Sequence, residues 1–126
     1  MPQRAISSDL QNFLIKHFDS IAEIEALLLL RREPAETWDV ASTAKRLYID
    51  EPEAAEILTR LCEDGLLDCA GDTYRFQCRT PDLEELVERL AETYKTNLIG
   101  VTSIIHSKPR RLREFANAFK LRKDRG

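Results

Sequence analysis

Apolar residues recur at helical spacing through the first third of the chain, and residues able to cap a helix precede each run. Ser8 opens a Ser-x-x-Gln box and Ser20 a Ser-x-x-Glu box, in which two side chains satisfy orphan backbone donors at a helix start. Two helices are predicted, about Ser8–Phe18 and Ser20–Arg32. In the second, Ile21, Ile24, Leu27, Leu28 and Leu30 cover more than half the circumference, so it is expected at the centre of the core, packed on several sides. Glu33-Pro34 ends it, because the residue before proline is pushed out of the α region, and Thr37-Trp38 is then free to be extended.

Asp39 caps a short helix with Val40, Ala41, Ala44 and Leu47 on one side. The turn Tyr48-Ile49-Asp50 leads into another helix, with proline in its first turn and Glu53 three residues beyond the Asp50 cap. Ala54, Ala55, Leu58, Leu61 and Cys62 face inward there, and Gly65 supplies the left-handed stop after about Asp64. This is a helix-turn-helix outline. Leu66–Ala70 and Thr73–Cys78 alternate on either side of Gly71-Asp72 and predict a β-hairpin.

Thr80 caps the next helix with Pro81 at its first position, and the pattern predicts that it continues unbroken to about Ser107. Such a helix is about 39 Å long. Leu83, Val87, Leu90, Tyr94, Asn97, Val101 and Ile104 alternate spacings of four and three, flanked by Ala91, Leu98 and Ile105. The stripe outreaches a small globule, so part of it, with Leu83, Val87, Leu90, Tyr94, Asn97, Leu98, Val101 and Ile105 as candidates, is expected to pair with a second copy. Asn97 is read either as a polar register-setting residue in that seam or as a surface residue on a drifting stripe. Gly100 costs about 1 kcal/mol inside a helix, so it marks a close approach or a bend. Lys108-Pro109 breaks the helix, and a last one to Leu121 carries Leu112, Phe115, Ala116 and Phe119 on one face and basic residues on the other.

Composition keeps this picture within one ordinary domain, with 126 residues, 43% apolar and 33% charged. The division expected is a part over 1–81 that holds the early helices, the helix-turn-helix and the hairpin, and the long and terminal helices over 82–126, in one compact unit. The first residues lack the apolar core of a secretory signal, and the densest apolar run, Ala26 to Leu30, falls well short of a membrane span. A cytoplasmic protein without membrane contact is expected. Cys62, Cys69 and Cys78 match no paired-thiol or zinc spacing and are read as reduced, buried small hydrophobes.

Charge is unevenly spread. From Leu47 to Glu92 thirteen acidic side chains face four basic ones, about −9, while from Ser107 onward eight basic residues stand against Glu114 and Asp124, about +6. The basic tail, with Arg110, Arg111 and Arg113 at its start, has three readings: contact with phosphates, docking on the acidic region, or a solvated face.

The order of elements, and the stretch Trp38-Asp39-Val40-Ala41 through Arg46-Leu47-Tyr48-Ile49-Asp50, Ala54-Ala55, Leu58, Leu61 and Glu63-Asp64-Gly65-Leu66-Leu67, resemble winged helix-turn-helix domains. With flanking helices at both ends, the arrangement is similar to dimeric bacterial repressors of the multiple-antibiotic-resistance regulator (MarR) type. The stretch from Ile105-His106-Ser107-Lys108-Pro109 to Phe119 and Asp124 resembles the tail of small uncharacterised bacterial proteins. The fold this implies is mainly α, with a small β-hairpin wing, a long dimerisation-type helix and a final basic helix.

If activity follows the resemblance, the helix from Glu51 enters a DNA major groove with its first turns at base edges. Glu51, Glu53 and Glu56 occupy those turns, Arg60 is that helix's only cation, and Arg75 and Arg79 alone flank the acidic wing turn. Lys45 and Arg46 lie on the helix before. Carboxylates facing phosphates are repelled, so groove reading by this helix is disfavoured. Two functions are therefore carried forward. One is a non-enzymatic, dimeric, transcription-regulator-like protein acting on DNA or on the transcription machinery. The other is a protein-interaction module without DNA contact, using the acidic helix and wing. No cofactor is expected, and His17 and His106 stand in no spacing that suggests metal ligation or a nucleophile and base pair. Trp38 is expected in the core, or with Tyr94 in a ligand pocket.

Overall fold

The computed structural model describes residues 6–107. Helix α1, Ser8–His17, is capped by Ser7 rather than Ser8, the Ser7 hydroxyl accepting the Leu10 N–H. Gln11 donates its side-chain amide to the Ile6 carbonyl at 2.8 Å, so the cap lies one residue earlier than expected and the reciprocal Ser8/Gln11 box does not form. Helix α2, Ile21–Arg32, has the complete Ser20/Glu23 box and buries Ile24, Ala26, Leu27, Leu29 and Leu30. It touches α3, α4 and the wing, which is the many-sided packing its wide apolar stripe requires.

Helix α3, Val40–Leu47, starts at the Asp39 cap, where the carboxylate accepts the Ser42 N–H at 2.7 Å. Helix α4, Glu51–Glu63, starts at Asp50, whose side chain accepts the Glu53 N–H at 2.9 Å. Between them Tyr48 takes the left-handed conformation, φ 58 and ψ 43, and its side chain is 94% exposed. A non-glycine residue there is strained by its Cβ.

Gly65, with φ +78, turns the chain from α4 into the hairpin. Strands β1, Leu67–Ala70, and β2, Thr73–Phe76, pair antiparallel with Asp68 opposite Arg75 and Cys69 opposite Tyr74. Gly71 takes φ +60 at the first position of the two-residue turn. Trp38 adds a third, one-residue strand: its N–H donates to the Tyr74 carbonyl and the Tyr74 N–H to its own, both at 2.7 Å. The result is a mainly helical winged helix-turn-helix.

The last part departs from expectation. Helix α5, Pro81–Thr96, begins at the Thr80 cap as predicted but stops at Asn97, whose backbone is non-helical at φ −144 and ψ 58. A separate helix, α6, runs from 98 through 107, the last described residue. Asn97 serves both ends. Its N–H donates to the Thr93 carbonyl at 2.7 Å, closing α5, and its side-chain oxygen accepts the Gly100 N–H at 3.0 Å, opening α6. The uninterrupted 39 Å rod is therefore divided into two shorter helices. The expected terminal helix, with Arg110, Arg111 and Arg113, lies outside the described residues.

Candidate functional site

The exposed side of the helix-turn-helix is built by the caps just described. Asp50 fixes the first turn of α4, which buries Ala54, Ile57, Leu58 and Leu61 and thereby turns Glu51, Glu53 and Glu56 to solvent. All three are exposed, as the sequence implied. Arg60, on the same helix, is already paired within the chain. It bridges Asp19 at 2.5 Å and Glu23 at 3.0 Å, and hydrogen bonding to Asp19, ahead of the Glu23 charge, raises its pKa further. Glu23 is only 4% exposed, and its other oxygen accepts the Asp19 and Ser20 N–H groups, so this buried carboxylate is fully engaged.

The wing repeats the arrangement. Arg75 donates to Asp68 directly across the hairpin at 3.2 Å and to Gln77 at 3.1 Å. Arg79 lies over Gly65, where a Cβ would meet its side chain at 3.1 to 3.3 Å, and its N–H donates to the Gly65 carbonyl at 2.7 Å. On α3, Arg46 stacks over the Trp38 ring at 5.5 Å, and Lys45 is exposed. Among the candidate residues, the Glu51, Glu53 and Glu56 carboxylates are open to solvent, whereas Arg60 and Arg75 are bridged to carboxylates of the same chain. Tyr48 stands in the turn between α3 and α4, and sequence reasoning did not single it out. Its only signal was the absence of glycine from a turn that needs a left-handed residue.

The candidate dimer residues divide between interior and surface. Val87, Leu90, Val101 and Ile105 are buried in the chain's own core, and Asn97 is 7% exposed at the helix junction. Leu83 and Tyr94 are half-buried, the latter with its hydroxyl 3.4 Å from Glu25. Leu98 remains 48% exposed, and Ile99 beside it 67%. Trp38 is core, as expected, with its indole N–H buried and unpaired. Tyr94 instead lines a cleft of about 320 Å³ with Leu28, Arg31 and Glu88.

The cysteines differ from expectation. Cys62 and Cys69 are joined by a disulfide, their Cα atoms 6.3 Å apart, and Cys69 is exposed rather than buried. The sequence spacing hid this because Gly65 reverses the chain between them. Cys78 keeps its thiol, which burial, with the Glu84 and Glu88 charges, pushes up to about 11. Among the described residues no group of three or more His, Cys, Asp or Glu side chains is arranged to hold a metal ion, and no helix is long and apolar enough to cross a membrane.

No family model and no curated protein sequence matches the chain. Among solved structures it is similar to a "possible transcriptional regulator" from Methanosarcina mazei Go1, with a TM-score of 0.50 and 12% identity over 77% of this chain and 91% of that one. It is also similar to RV1404 from Mycobacterium tuberculosis, with a TM-score of 0.48 and 17% identity over 89% of this chain and 83% of that one. At such identities what the first of these likenesses shows is the fold alone, mainly helical with a small two-stranded hairpin.

Proposed function

We propose that this chain is a non-enzymatic, transcription-regulator-like protein that works as a homodimer and acts on the transcription machinery through protein contact. The carrying observation is the charge state of the helix-turn-helix face: Glu51, Glu53 and Glu56 are open to solvent while Arg60 and Arg75 are already bridged to Asp19, Glu23 and Asp68. A face of this kind is complementary to a basic protein surface and repels phosphates. Tyr48, exposed in the turn that joins α3 to α4, is the kind of aromatic anchor that dominates protein interfaces. The MarR-like homodimer rests on the surface-exposed Leu98, together with the half-buried Leu83 and Tyr94. A cytoplasmic location goes with this role.

A second reading, direct DNA contact through parts other than α4, is supported by the eight basic residues after Ser107 and by Lys45 on α3. A mobility-shift titration on random duplex at low salt separates the two. The first reading expects no shift at micromolar protein, and a shift at least tenfold more sensitive once Glu51, Glu53 and Glu56 are all changed to Lys. Binding by the unaltered chain that is lost on Glu→Gln substitution at the same positions would establish groove reading by α4 and overturn the proposal. A shift abolished only by reversing Arg110, Arg111 and Arg113 would establish the second reading.

A further inference from the structure

Cys62 lies in the last turn of α4 and Cys69 on β1, so their disulfide ties the end of the outward helix to the first strand of the wing. Their Cα separation of 6.3 Å falls in the ordinary range for such a bond. The turn between them does not depend on it. The Asp64 N–H donates to the Arg60 carbonyl at 2.9 Å, Gly65 to Cys62 at 3.0 Å, Leu66 to Leu61 at 3.0 Å, and Arg79 to Gly65 at 2.7 Å. Four backbone hydrogen bonds thus hold the turn that brings the two cysteines together, alongside the sulfur link. Cys69 is exposed to solvent reagents, Cys62 is half-buried behind it, and the Cys78 thiol stays protonated near neutral pH and does not compete.

We propose that Cys62 and Cys69 form a reversible dithiol and disulfide site that exchanges with a small-molecule disulfide of the glutathione type. In the closing direction the Cys69 thiolate attacks one sulfur of glutathione disulfide. A new bond forms from Cys69 Sγ to that sulfur, the original sulfur bond breaks, and one glutathione thiolate leaves. The Cys62 thiolate then attacks Cys69 Sγ, forming the internal disulfide and expelling the second glutathione thiolate. The chain loses two electrons and two protons; glutathione disulfide gains the electrons and leaves as two glutathione molecules. Opening is the same pair of steps reversed, with two glutathione molecules as the reductant.

The test equilibrates the full chain in mixtures of reduced and oxidised glutathione, quenches with acid, alkylates in denaturant and reads intact mass. The closed form takes one label, at Cys78, and the open form three. The expected result is an exchange between one-label and three-label species across the glutathione series, with little two-label species. In Cys62→Ser a single glutathione adduct should accumulate at Cys69. In Cys69→Ser adduct formation at Cys62 should be at least tenfold slower. A dominant two-label species in the unaltered chain, a persistent glutathione adduct there, or first reaction at Cys78 would overturn the proposal. So would a population unchanged over the whole series.

Discussion

The side-chain oxygen of Asn97 accepts the N–H of Gly100 at 3.0 Å, and the same side chain fills the space that a Cβ at position 100 would need, at 2.6 to 2.8 Å. Each residue thereby requires the other. Glycine inside a helix is normally a cost of about 1 kcal/mol relative to alanine. Here Gly100→Ala is expected to destabilise by about 1–2 kcal/mol, because it drives the cap out of place. Adding Asn97→Ala should recover part of that loss, a coupling readable in a urea-denaturation cycle. A stabilising single Gly100→Ala would show that the cap contributes nothing.

Tyr48 holds a left-handed backbone without any packing in return. Tyr48→Gly is expected to raise stability by about 0.5–1 kcal/mol, seen as a small rise in thermal midpoint. The same substitution should weaken partner binding if the exposed ring is an anchor. Lower stability would mean that the ring makes contacts beyond its 6% loss of exposure.

Two arginine bridges of similar length should differ sharply in worth. Arg60→Ala leaves the buried Glu23 carboxylate without its cation and is expected to cost about 2 kcal/mol, moderated by the two N–H groups that Glu23 still accepts. Arg75→Ala breaks a bridge between exposed groups and should cost less than about 0.5 kcal/mol. Equal losses in chemical denaturation would contradict the burial argument.

Hydrogen bonds from Arg31, more than the charge itself, hold the Glu88 carboxyl below its ordinary pKa against the opposing effect of burial. A lowered folded pKa gives stability that is present above the unfolded value, near 4.3, and lost as pH falls through the folded one. Both side chains are substantially exposed, so the gain is small, about a few tenths of a kcal/mol. Glu88→Gln should flatten the acid limb of the denaturation midpoint below pH 5 and leave the neutral region nearly unchanged. An unaltered acid limb would remove the pair from the pH response.

Chemical opening of the Cys62 to Cys69 link should lower stability by about 2 kcal/mol, the chain entropy expected for so short a loop. Urea titrations with and without dithiothreitol measure it, and the fold should survive in both. Loss of the hairpin signal on reduction would show that the backbone bonds around Gly65 are insufficient.

Where structure follows from local chemistry, it could be read directly from the chain. Ser20, Asp39, Asp50 and Thr80 each cap the helix expected of them, and Gly65 and Gly71 make the turns that only their backbone freedom allows. The open carboxylates of α4 were equally visible, since burying Ala54 and Leu58 dictates which side faces water. What escaped were relations between distant or competing groups. The partners of Arg60 lie 37 and 41 residues away. The apolar stripe runs past Asn97 without a gap, so periodicity could not reveal that its amide prefers capping to continuing the helix. Ser7 and Ser8 are chemically equivalent, and it is Ser7 whose hydroxyl caps α1 and also accepts a hydrogen bond from Arg89 on α5.

The reciprocal bonds between Trp38 and Tyr74 have a mechanical meaning. Trp38 is the residue just before the Asp39 cap, so the hairpin is latched to the very start of α3, while its other end leads out of α4 through Gly65. A load applied at Gly71 accordingly has a path to both helices of the motif, through the Trp38 bonds to the start of α3 and through Gly65 to the end of α4.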